Sequence, residues 1–177
     1  MTTTAVHFTK GPRKNPMRLI VIHSMESQEK PDTAETVAAW FSDPKRAPQA
    51  SAHVCCDTNS SVQIVDDGDI AWAAPGANND GLHIELAGVA AQTTAQWEDA
   101  YSLGVLDEAA KVTAKWCKTY GIPAVFLTSA QVADGKTKGI CGHITVTHAF
   151  PNIGTHTDPG AGFPWSLFIQ KISALLK

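Results

Sequence analysis

Apolar and polar positions along this chain fall into a few clear periods. Arg18-Leu19-Ile20-Val21-Ile22-His23 is a β-branched run of strand length, apolar on both faces, and it predicts a central strand covered on both sides. Pro31-Asp32-Thr33-Ala34-Glu35 opens a predicted helix. Asp32 takes the cap position, Glu35 stands three residues on, and Ala34, Val37, Ala38 and Phe41 trace the apolar face as far as Pro44. Strands are predicted over 52–57 and 62–65, joined as a hairpin by the turn chemistry of Thr58-Asn59-Ser60. In Leu82-His83-Ile84-Glu85-Leu86 the period is two, so Leu82, Ile84 and Leu86 share one face and His83 and Glu85 the other.

The longest helix is predicted over 94–120. Thr93 and Gln96 have capping-box spacing, Gly121 and Pro123 close it, and Trp97, Tyr101, Val105, Ala109, Val112 and Trp116 recur every three or four residues. Residues 124–127 and 139–143 read as further short strands. A last helix from Pro164 carries Trp165, Phe168, Ile169, Ile172, Leu175 and Leu176 as an apolar stripe. Strands separated by helices, plus one hairpin, predict an α/β fold with a central mixed β-sheet flanked by helices. Residues 1–17, punctuated by Gly11, Pro12, Asn15 and Pro16, are expected to form an N-terminal arm, and residues 18–177 a single domain.

Composition narrows the function classes. With 177 residues and 44% apolar positions the chain can bury a core without disulfide or metal staples, which excludes intrinsic disorder. Fourteen Lys and Arg against 17 Asp and Glu give a net charge of −3, no footprint for nucleic acid. No apolar run approaches the roughly 18–20 residues that span a bilayer, and the polar N-terminal region has no signal-peptide core. The expectation is a protein kept in a reducing cytoplasm or released by another route. Cys55, Cys56, Cys117 and Cys141 form no CxxC pair and read as reduced core residues.

Seven histidines offer the chemistry, and their placement matters most. His23 and His143 end predicted strands; His148 and His156 fall in the following loop, ahead of Asp158-Pro159-Gly160. Polar groups gathered at strand ends are the usual way to set a site on a rigid sheet. Two imidazoles and a carboxylate make a three-ligand set for catalytic zinc, and the Pro159-Gly160 turn restrains Asp158. On residue chemistry alone, a zinc site, an acid–base pair and a structural cluster all remain open.

Several segments, in order, carry a family resemblance. Leu19-Ile20-Val21-Ile22-His23-Ser24, Ser51-Ala52-His53-Val54, Ala71-Trp72, Gly81 to Gly88 with its Ile84-Glu85-Leu86, Cys141-Gly142-His143, and His156-Thr157-Asp158-Pro159-Gly160 with Phe163-Pro164-Trp165 together resemble the zinc-dependent N-acetylmuramoyl-L-alanine amidases of the amidase-2 family, which includes peptidoglycan-recognition domains. The stretch from 157 to 165 looks most like the amidase domains of endolysins from phages of actinobacteria.

The resemblance implies Zn²⁺ held by His23, His143 and Asp158. It implies Glu85 as the group that polarises the attacking water, and His156 as the stabiliser of the oxyanion. The implied substrate is bacterial peptidoglycan, cut between N-acetylmuramic acid and L-alanine, with no nucleic acid, membrane span or protein partner expected. The implied location is the host cytoplasm, with action on the wall after release. Trp72 and His83 are candidate substrate contacts; relatives often carry a small residue at the position of His83. His148 rivals His143, which is preferred because Gly142-His143 ends a strand. Cys141 and His53 read as structural, and Trp40, Trp97, Trp116 and Trp165 as core. A recognition module without catalysis and a cytoplasmic muropeptide-recycling amidase are the competing readings; the full ligand set with Glu85 favours catalysis.

Overall fold

The computed structural model describes residues 4–177. Its chain order is β1 (Phe8–Thr9), β2 (Leu19–Ser24), α1 (Thr33–Phe41), β3 (Val54–Cys56), β4 (Ser61–Gln63), β5 (Ile70–Ala71), β6 (Gly81–Leu86), α2 (Thr94–Trp97), α3 (Ala100–Tyr120), α4 (Ser129–Ala133), β7 (Gly139–Gly142), α5 (His143–Ala149) and α6 (Trp165–Leu175). Five strands form the main sheet in the order β4-β3-β6-β2-β7. Within this sheet only the β3–β4 hairpin is antiparallel; β2 runs parallel to both β6 and β7, and β3 parallel to β6. The mixed, helix-flanked sheet expected from the sequence is the observed fold.

Alternation divides the sheet into two unlike faces. Ile20, Ile22, Leu82, Ile84, Leu86 and Ile140 point to one side, where they pack with Val105, Leu106 and Ala109 of α3 and Phe168 and Ile172 of α6. The other side is covered in two separate patches. Ala34, Ala38 and Phe41 of α1 lie over Cys55, while Val132 of α4 and Val146 of α5 lie with Leu19, Val21 and Cys141. Register brings Val21 opposite His83 and His23 opposite Glu85. Neighbouring residues in a parallel ladder face the same way, so the polar side chains of β2 and β6 emerge in the gap between those patches.

Several local expectations are revised. The predicted 94–120 helix is two helices, because Asp99 caps α3 by accepting from the Ser102 N–H at 2.9 Å. Residues 124–127 form only one bridge, Phe126 to Ile140. The strand predicted to end at His143 stops at Gly142, and His143 begins α5. His148 therefore sits in the last turn of a helix instead of in a loop. Asp32 occupies the cap position of α1 without a side-chain bond; the Asp57 carboxylate, from beyond β3, accepts from the Ala34 N–H instead, at 3.0 Å.

The arm is in contact with the domain over much of its length. Ala5 N–H donates to the Ile64 carbonyl and Val6 N–H to that of Phe41, and β1 pairs with β5. The first three residues of the expected arm lie outside the described residues. No helix among the described residues is long and apolar enough to cross a membrane.

Candidate active site

Three elements deliver a compact polar cluster. His23 comes from the end of β2, His143 from the first position of α5, and Asp158 from the turn ahead of α6. All three are buried, and one donor atom from each lies within 4.8 Å of the others. His23 Nδ1 is 3.0 Å from Asp158 Oδ2, and His143 Nδ1 is 3.3 Å from Asp158 Oδ1. Burial pushes the Asp158 pKa up, yet hydrogen bonds from His143 and His23 outweigh it and hold the carboxyl well below its ordinary range. Asp158 is therefore an anion beside two imidazoles. That donor set, anionic oxygen plus two Nδ1 edges facing it, fits a borderline cation such as zinc.

Glycines make this approach possible. A Cβ on Gly160, whose φ is +94°, would lie 1.9 Å from the Ala90 carbonyl oxygen, so the turn after Asp158 needs a residue without a side chain. A Cβ on Gly142 would meet Pro159 at 2.8 Å. The Asp158 carbonyl also accepts from the Ile144 N–H at 2.9 Å, which fastens the turn to α5.

A cleft of about 590 Å³ opens over the cluster, and Glu85 and His156 line it with His23, His143 and Asp158. Burial, and then the charges of Asp158 and Glu26, raise the Glu85 pKa well above its ordinary value. A carboxyl of raised pKa is suited to proton transfer. His156 is exposed and stacks on His143 with centroids 4.0 Å apart. Burial of its inner edge and the neighbouring His143 lower its pKa, so near neutrality it offers chiefly a neutral N–H.

The other candidates separate clearly. His148 is exposed and outside the cleft. His83 is 0% exposed and does not line the cleft; its ring lies behind His23, with Nδ1 3.1 Å from His23 Nε2. Trp72 is exposed, but its Nε1 donates to Thr9 Oγ1 on the arm and its ring is absent from the cleft wall, which Ala73 enters instead. Trp40, read as core, is half-buried and forms an apolar wall with Val37, Phe41, Pro48 and Ala50. Its position on the stripe of α1 gave no sign of this, because the gap that exposes it is made by other elements. Glu26 also lines the cleft, with φ +51°, its carboxylate accepting from Ser24 Oγ and the Ala90 N–H. Nothing in the local sequence marks it. Cys141 is fully buried, and burial pushes its thiol up to about 12, leaving no thiolate to compete with the three clustered groups.

Comparison with known proteins bears on the fold and the family. The fold is shared with the Staphylococcus aureus hydrolase AmiA in complex with its ligand (TM-score 0.71, 16% identity, 98% of this chain and 82% of that one). It is shared also with AmpD (0.64, 20%, 98% and 92%) and with the PlyG catalytic domain (0.59, 16%, 98% and 87%). No curated protein sequence matches significantly. At these identities the structural likeness speaks for the fold alone. The sequence itself, over residues 13–161, matches the family of N-acetylmuramoyl-L-alanine amidases, and the chain belongs to that family.

Proposed function

We propose that this protein is a zinc-dependent peptidoglycan hydrolase that cleaves the amide between N-acetylmuramic acid and L-alanine, and that it serves as the catalytic domain of a phage endolysin. One observation carries the reading: His23, His143 and Asp158 place their donor atoms within 4.8 Å of one another, at the floor of a cleft that also contains Glu85. His23, His143 and Asp158 would hold the ion. Bound zinc supplies Lewis acidity, lowering the pKa of a water from about 16 toward 7 and polarising a carbonyl.

The chain's own groups do the rest. Glu85, as carboxylate, takes the proton of the attacking water and returns it to the departing L-alanine nitrogen. His156 donates an N–H toward the oxygen of the tetrahedral centre, from the exposed rim where an incoming carbonyl arrives; such donors are worth on the order of 10²–10³ in rate. The apolar wall of Val37, Trp40 and Pro48 covers the less polar parts of the bound chain and excludes water from them.

The test is incubation of the purified protein with intact sacculi and with soluble muropeptides in parallel. An endolysin releases soluble fragments from sacculi. Turnover of muropeptides alone identifies a recycling amidase, and binding without release identifies a recognition module.

A further inference from the structure

His83 has no task in the scheme above, yet its surroundings are built around it. Its backbone N–H donates to His53 Nδ1 at 3.0 Å, and its carbonyl accepts from the His53 N–H at 3.0 Å. The His53 ring stacks on it with centroids 5.7 Å apart and planes 11° from parallel. Gly81 leaves room for the ring, since a Cβ there would lie 3.1 Å from His83 Nε2. That Nε2 is buried with no hydrogen-bond partner among the described residues. For mere filling this is a poor choice, because an unpartnered buried N–H or lone pair carries a desolvation cost that an apolar side chain avoids. Among the described residues, the one side chain hydrogen-bonded to the His83 ring is His23, through His83 Nδ1 and His23 Nε2 at 3.1 Å.

The two edges of His23 are thus used differently. Nδ1 faces Asp158 and the cluster; Nε2 faces His83. An imidazole that turns a lone pair on Nδ1 toward a cation keeps its proton on Nε2, and that proton needs an acceptor. Carboxylates and backbone carbonyls are the common acceptors. Here the place is taken by an imidazole ring, which adds no further negative charge behind a cluster that already has the Asp158 carboxylate.

We propose that His83 is a positioning residue: its Nδ1 accepts the Nε2–H of His23, fixing the tautomer and ring angle that aim His23 Nδ1 at the site formed with His143 and Asp158, while His53 clamps His83 in turn. The proposal rests on the zinc reading above. It needs no contact between His83 and substrate, in keeping with its complete burial.

The test is zinc affinity by chelator competition for the wild type, His83→Phe and His83→Asn. Phe keeps a ring and removes the acceptor; Asn places Oδ1 near the former Nδ1. Phe weakens zinc binding by about 10–100-fold, and Asn restores most of the loss. The second readout is long-range ¹⁵N–¹H NMR of the zinc-loaded wild type, which finds the His23 proton on Nε2 and no proton on His83 Nδ1. A proton on His83 Nδ1 overturns the proposal even if His83→Phe fails to fold. Equal zinc affinity in a folded Phe variant overturns this proposal alone, whereas a wild type that binds no zinc overturns the zinc reading with it.

Discussion

His23 and Asp158 are 135 positions apart in the chain, and their Nδ1 and Oδ2 atoms lie 3.0 Å apart in the fold. The other oxygen of the same carboxylate faces His143, so one carboxylate bridges the end of β2 and the start of α5. Replacing it with Asn keeps the shape and removes the charge. Asp158→Asn should lose zinc retention and hydrolysis together, while cooperative unfolding persists because the apolar clusters on both sheet faces contain no part of Asp158. Metal analysis after dialysis, with a thermal melt of the same sample, checks both halves.

Glu85 separates binding from turnover. It lines the cleft without belonging to the three clustered donors. Glu85→Gln should retain zinc and wall binding but lose about 10²–10⁴ in rate, the usual value of a positioned acid–base group. Initial rates of L-alanine amino-terminus release measure this; full activity in the variant removes Glu85 from the mechanism.

Gly160 is the most sensitive backbone position near the site. Its φ is +94°, and the Ala90 carbonyl oxygen would stand 1.9 Å from an added Cβ, so Gly160→Ala must displace the turn carrying Asp158. We expect a loss of roughly 1–3 kcal/mol or more with weakened zinc binding. Gly121, after α3, has φ +61° and open space around it; Gly121→Ala should cost about 1 kcal/mol and leave zinc affinity unchanged. Denaturant melts and chelator competition on the pair distinguish a local strain from a site effect.

Buried His53 makes stability depend on pH. Burial, and then the Arg13 charge, lower its pKa to about 3, below an unfolded value near 6.5. Between those values the unfolded chain binds a proton that the native chain refuses, so stability falls as pH drops through that window and is complete above it. The slope from this one group approaches 1.4 kcal/mol per pH unit, on the order of a single proton. His53→Asn keeps an acceptor for the His83 N–H and should flatten the slope by about that proton. Urea melts at several pH values between 4 and 7 read it directly.

The central strands were legible because their burial is written in period: β2 apolar on both faces, β6 alternating, with Glu85 turned to the polar side. Depth was not legible. Alternation places His83 and Glu85 on one face, but the rings of His23 on β2 and of His53, the residue before β3, cover the first and leave the second in the cleft. His143 read as a strand end because β7 passes into α5 with no intervening turn residue. The break before α3 did leave a signal in Asp99, a cap residue inside an otherwise helical period. Likewise Thr128 and Gln131 form the capping box of α4, a helix too short for periodicity to reveal. The cap of α1 had no local signal, since Asp57 reaches it from beyond β3.

The central claim is that hydrolysis depends on an ion held by His23, His143 and Asp158. The most direct measurement counts new L-alanine amino termini released from purified sacculi by the protein as isolated, after chelation, and after zinc is returned. The predicted result is release, its loss on chelation, and its recovery with zinc. Release that continues undiminished in the chelated protein would contradict it.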